Sequence, residues 1–184
     1  MAEKPVPEAP LESTEHGLVP QGEGWFVLNA REARWRHGAG RGAYSELEGK
    51  PEFSQLGIHL VALGPGEVVA MYHWEADQED FLVLAGEAVL IVEGQERSLR
   101  RWDVAHCPAG TKHVIVGAGD APCLVLAVGA RDRSTGPDWG GYPVDEAAQR
   151  HGAGVEQETT DAKEASARVA KREPTGYREG WLPD

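Results

Sequence analysis

Between residues 57 and 130 the chain is cut into short apolar runs by closely spaced turn signals. The runs are Ile58–Leu63, Glu67–Trp74, Phe81–Leu84, Ala88–Val92, Ser98–Trp102, Val104–Cys107, His113–Val116 and Leu124–Val128. Between them stand Gly64-Pro65-Gly66, Ala85-Gly86-Glu87, Glu93-Gly94-Gln95, Pro108-Ala109-Gly110 and Gly117-Ala118-Gly119-Asp120. An amphipathic helix needs apolar residues every three to four positions over ten or more residues, and no run offers that. Short Val- and Leu-rich segments at regular spacing predict an all-β sandwich or barrel. No internal repeat is visible, so the pattern predicts one barrel. Phe81–Leu84 and Leu124–Val128 are apolar at successive positions. One face of such a strand fills a core and the other needs a cover.

The flanks read differently. Residues 1–24 mix Pro5, Pro7, Pro10 and Pro20 with glycines and charges, which predicts an irregular N-terminal arm. In residues 25–56, Trp25–Leu28 is expected to be a short strand, followed by a long loop over 29–54. That loop carries Arg31, Arg34, Arg36 and Arg41, which either hold an anionic group or serve structure and subunit contact. Residues 131–184 are expected to form a loop and a helical C-terminal extension. There Asp132–Tyr142 reads as loop, Val144–His151 as a short helix stopped near Gly152, and Thr160–Arg172 as a helix capped by Thr160. Tyr177 and Trp181 could anchor the tail.

The 184 residues carry 18 Lys+Arg against 30 Asp+Glu, a net charge of −12, spread along the chain. A nucleic-acid binder needs a basic footprint, and anionic lipid repels such a surface, so neither partner is expected. No run approaches the roughly 20 apolar residues of a membrane span. The opening MAEKPVPEAPLEST lacks the apolar core of a secretory leader, and Cys107 and Cys123 make no disulfide framework. A cytoplasmic protein is the expectation.

One stretch concentrates residues that do chemistry. On a strand, His73 and Glu75 point the same way, Glu79 opens the next strand, and His113 starts another after a Pro-x-Gly turn. Two imidazoles and two carboxylates suit a divalent transition metal. His106, on the strand before Pro108, is a candidate acid or base at the pocket, or else a half-buried rim residue. Met71 and Phe81 are expected to face the cavity, and Tyr72 and Trp74 to face away. His59 and both cysteines read as structural.

These motifs resemble the cupin superfamily. The first motif of that family, His-x-His, three or four residues, Glu, six residues, Gly, reads here His73-x-Glu75, three residues, Glu79, six residues, Gly86. The second, Pro-x-Gly-x-x-His, reads Pro108-Ala109-Gly110-Thr111-Lys112-His113. Glu75 stands in place of the second His, Trp102 where a Gly usually opens the second motif, and Gly117 where an Asn often closes it. The resemblance implies a cupin double-stranded β-helix, a jelly-roll barrel over residues 57–130. It implies one divalent metal (Fe, Mn, Zn or Ni) on His73, Glu79 and His113, with Glu75 either a fourth ligand or turned aside. It also implies a homodimer, with Trp25–Leu28 a candidate for an exchanged strand. Two functions follow: a metal-dependent dioxygenase or isomerase acting on a small molecule in the barrel, or a non-catalytic barrel binding a small molecule or sugar.

Overall fold

The computed structural model describes residues 5–132 and 139–183. Its strands are β1 (Leu11–Thr14), β2 (Gly17–Pro20), β3 (Trp35–Gly38), β4 (Arg41–Ser45), β5 (Leu56–Leu63), β6 (Trp74–Glu75), β7 (Glu79–Ala85), β8 (Glu87–Val92), β9 (Gln95–Arg100), β10 (Val104–Cys107), β11 (His113–Ala118) and β12 (Cys123–Ala130). After them come β13 (Gly140–Gly141), α1 (Glu146–Arg150), α2 (Ala162–Ala165) and β14 (Glu173–Thr175). A seven-stranded antiparallel sheet runs β10-β7-β12-β5-β4-β3-β14, and a three-stranded one runs β11-β8-β9.

One core joins the two sheets. Val61 and Leu63 of β5, Phe81 and Val83 of β7, Leu90 of β8, Ile115 of β11 and Val125 of β12 meet in it, all buried. Alternation sets this up: along β7, Phe81 and Val83 turn inward while Asp80 and Leu82 turn to the other face. Two antiparallel sheets around one core are the arrangement the double-stranded β-helix expected from the motifs requires. The exposed, charged face of β9 (Gln95-Glu96-Arg97-Ser98) makes that sheet edge a poor template for further pairing.

The flanks cover the outside. Tyr72, Val68 and the buried Ala147 and Ala148 of α1 pack on Ile91, Val114 and Val116. α1 has the expected position. Asp145 caps it by accepting from Ala148 N–H at 2.8 Å, and Gly152 (φ +68) follows its end. Tyr177, Trp181 and Leu182 pack against Trp35, Ala43 and Ala62, so the tail is anchored through its aromatic residues.

Four local expectations are corrected. The N-terminal arm is not irregular throughout, because β1 and β2 form a hairpin. Thr14 Oγ1 organises its turn, and Gly17, at φ +123, lies where a Cβ would stand 2.7 Å from Ala33 O. Trp25–Leu28 is not a strand. Trp25 makes one isolated bridge to Glu8, and Val27 is 82% exposed, so the segment joins no sheet within this chain. The loop expected over 29–54 contains β3 and β4, whose alternation is masked by glycines and arginines. The helix expected at Thr160–Arg172 is one turn, capped by Asp161 and not Thr160. Only Ala165 is buried in it, too little packing to sustain a longer helix. Within the expected loop Asp132–Tyr142, residues 133–138 lie outside the described residues, and Gly140–Gly141 pair with β6.

Candidate metal centre

His73 and His113 are a hydrogen-bonded cross-strand pair. His73 N–H donates to His113 O at 3.1 Å, and His113 N–H to His73 O at 2.8 Å. Residues paired in this way put their side chains on one face, and the two rings stand 5.0 Å apart between centroids. The turn before His113 is held by Gly110, at φ +82, whose N–H donates to Glu75 O at 2.7 Å. Gly140 pairs with Glu75 as well. The backbone therefore fixes both ends of the cluster before any side chain is placed.

Glu79 begins β7 and projects inward with Phe81. Its Oε2 lies 3.0 Å from His113 Nε2 and 3.4 Å from His73 Nε2. Each imidazole Nδ1 sits on a backbone carbonyl, Met71 O at 2.8 Å and Thr111 O at 3.0 Å. A carbonyl only accepts, so Nδ1 carries a proton, and in the neutral ring each Nε2 turns a lone pair toward a carboxylate. Glu79 Oε2 and His113 Nε2 are buried and make no hydrogen bond among the described residues. Lone pairs converging in this way need a cation between them. Protons can serve. Burial alone would push His73 down, but Glu75 and Glu79 outweigh it and raise it to about 9. Burial likewise opposes the charge of His113, but Cys107 and Glu79 raise it to about 10. Burial would raise Glu79, yet His113 and His73 hold it at about 2.

A divalent metal answers the same demand. One atom from each of His73, Glu79 and His113 lies within 4.8 Å of the others, and imidazole with carboxylate is a donor set such ions accept. The residues fit the group. Glu75 lies beside this trio, its Oε1 3.6 Å from His73 Nε2 and its side chain 25% exposed.

The profile of the Cupin domain family matches residues 59–129. A sugar phosphate isomerase of the cupin superfamily from Silicibacter pomeroyi is 30% identical, with 57% of this chain and 75% of that one covered at a TM-score of 0.52. The chain belongs to the cupin superfamily. A protein from Thermotoga maritima, described as a predicted oxalate decarboxylase, shares the fold at 24% identity, 57% and 98% coverage and a TM-score of 0.52. A candidate sugar phosphate isomerase from Acidithiobacillus ferrooxidans is 28% identical over 42% of this chain, at a TM-score of 0.40. The chain spans about half of that relative, 51% of its length. No curated protein sequence matches.

The cupin cavity measures about 750 Å³ and reaches from His73, Glu79 and His113, past Tyr44, His59 and Phe81, to Glu12, Thr14 and Gln21 of the N-terminal hairpin. Not every residue singled out by its sequence position belongs to it. His106 sits on the outer face of β10, its side chain 55% exposed, with Nδ1 2.5 Å from Asp80 Oδ1. Alternation explains this, since Ala105 and Cys107 take the inward positions. Met71 also misses the cavity and packs on Val155 and Ala165, because the chain before His73 is bent and only Trp74–Glu75 is strand. Phe81 and Tyr72 lie as expected.

His59, which reads as structural in the sequence, and Arg172, which no motif contains, also face the cavity. His59 lines the wall, its Nδ1 on Ser45 O at 3.0 Å, and its place two residues before inward Val61 was the available signal. Arg172 reaches in from the C-terminal extension, and no local pattern announces it.

Proposed function

We propose that this cupin is a metalloenzyme holding one divalent transition metal on His73, Glu79 and His113 and acting on a small organic molecule in the barrel. The observation that supports it is the buried, unpartnered convergence of His113 Nε2 and Glu79 Oε2. When bound, the metal supplies Lewis acidity or, for iron, oxygen activation. The chain supplies the rest. Met71 O and Thr111 O orient the two rings, and Phe81 and Tyr142 stand tilted beside them with centroids 5.3 and 5.9 Å away, narrowing water access. Glu75, at the edge of the trio, is placed to take and return a proton beside the metal, the role an isomerisation requires. Likeness to a sugar phosphate isomerase supports that reaction type over oxygenation.

Metal analysis of protein purified without chelator tests this reading. About one metal per chain is expected, and His113→Ala and Glu79→Ala should each empty the site. Metal-free protein from metal-replete growth would overturn it. A panel of sugar phosphates, assayed with and without oxygen, then separates isomerase from oxygenase.

A homodimer is part of the same proposal. Val104 and Trp102 stand 70% and 62% exposed at the β10 edge of the larger sheet, beside outward Leu82. Light scattering should give twice the chain mass.

A further inference from the structure

Arg34 and Arg131, which also line the cavity, each have a carboxylate. Arg34 and Arg36 share Glu46, and Arg131 holds Glu48 at 2.7 Å. Arg172 and Arg41 differ. Arg172 lines the cavity with its Nε on Gly42 O at 2.9 Å and its Nη2 on the carbonyls of Val68 and Val69. Arg41 Nη2 donates to the same Val69 O at 3.1 Å. Two guanidinium groups of like charge thus meet on one carbonyl oxygen. Neither has a carboxylate in ion-pair contact among the described residues. The one carboxylate with influence on Arg172, Glu67, has its Oε2 committed to Gly64 N–H at 2.9 Å.

The donor inventory is incomplete in the way a ligand site is. A guanidinium carries five N–H donors, and the two on Arg172 Nη1 have no protein acceptor among the described residues. Arg41 Nε is buried without a partner. The Arg172 group lies over the Tyr44 ring at 5.4 Å, which fixes its plane beside the cavity. Bringing two like charges together in a half-buried place is unfavourable unless an anion joins them.

We propose that Arg172, backed by Arg41, anchors an oxyanion, a carboxylate or a phosphate, carried by the molecule that binds in this cavity. The proposal builds on the metalloenzyme reading by naming a substrate class, but the anchor itself works whether or not a metal is bound. The neutral part of the ligand then extends along the wall toward His73 and Glu79.

The test is calorimetric titration of the metal-free and metal-loaded protein with inorganic phosphate and with succinate. Glucose, and sodium chloride at matched ionic strength, serve as controls. At least one of the two anions should bind in both forms, and the stronger identifies the anionic group. Arg172→Gln should weaken it about tenfold or more, the loss expected for a charge-assisted hydrogen bond, with metal content unchanged. Arg172→Lys should recover part of the affinity. If Arg172→Gln releases the tail and lowers the melting temperature, Arg41→Gln carries the test, with a smaller loss expected. No binding of either anion to the wild type, or equal binding to both folded variants, overturns the proposal. Arg172-dependent binding by a protein that never takes up metal leaves it standing and overturns the metalloenzyme reading. A metal-loaded protein indifferent to both anions does the reverse.

Discussion

Glu79 and Asp80 are neighbours on one strand, and each faces histidine, yet the two sites share little beyond residue type. Glu79 turns inward to His73 and His113, where the facing atoms are buried and lone pairs must be reconciled by a cation. Asp80 turns outward to His106, where solvent screens the pair. An exposed pair of this kind contributes about 1 kcal/mol or less. One step along the backbone therefore separates a candidate metal centre from an ordinary surface contact, and burial makes the difference.

The contrast can be broken in order of expected size. Glu79→Ala or His113→Ala should lower metal affinity by ~100-fold or more, beyond the loss typical of residues that only orient ligands. Asp80→Ala should leave metal content as it was, and elemental analysis of the three proteins decides. Next comes pH. With His73 raised to about 9 and His113 to about 10, metal uptake at neutral pH must expel protons, so affinity should rise about tenfold per pH unit per proton released. Proton release in weakly buffered calorimetry reads this directly. In the metal-free protein the same two groups, raised above their unfolded values, stabilise the fold below pH 6.5 and lose that effect as pH passes 9 to 10. Its melting temperature should fall over that window more than that of the metal-loaded protein.

Glu75→Gln should be intermediate, at about tenfold in metal affinity, because Glu75 touches His73 without joining the trio. A loss equal to that of Glu79→Ala would make Glu75 a full ligand. The smallest effect belongs to His106→Ala. It should cost about 1 kcal/mol or less in chemical denaturation and leave both metal and turnover unchanged.

The sequence carried the barrel well, since its strands obey period-two alternation and its turns carry glycine. It also placed His73, Glu75, Glu79 and His113 near one another, because the spacing of two local motifs is a property of neighbouring strands. It misled at His106 and Met71, where direction depends on which strand face is inner and on a bend that period-two counting ignores. It was silent on Arg172, which comes to the cavity through the pairing of β14 with β3. Pairing across more than a hundred positions leaves no local trace. β3 and β4 were hidden for a related reason: Trp35 and Ala43 are buried by a tail far away in sequence, and the glycines and arginines around them look like loop.

The cavity wall draws on several stretches of chain, and three of them differ in what they bring. The middle stretch provides His73, Glu79 and His113, the N-terminal hairpin supplies the far wall, and the C-terminal extension inserts Arg172. On the proposed reading, reactive chemistry and ligand choice are therefore written in separable parts of one polypeptide. Exchanging the flanks between related barrels should re-aim the pocket at a new molecule without disturbing the ligands of the metal, which makes this architecture suited to diversification by its ends.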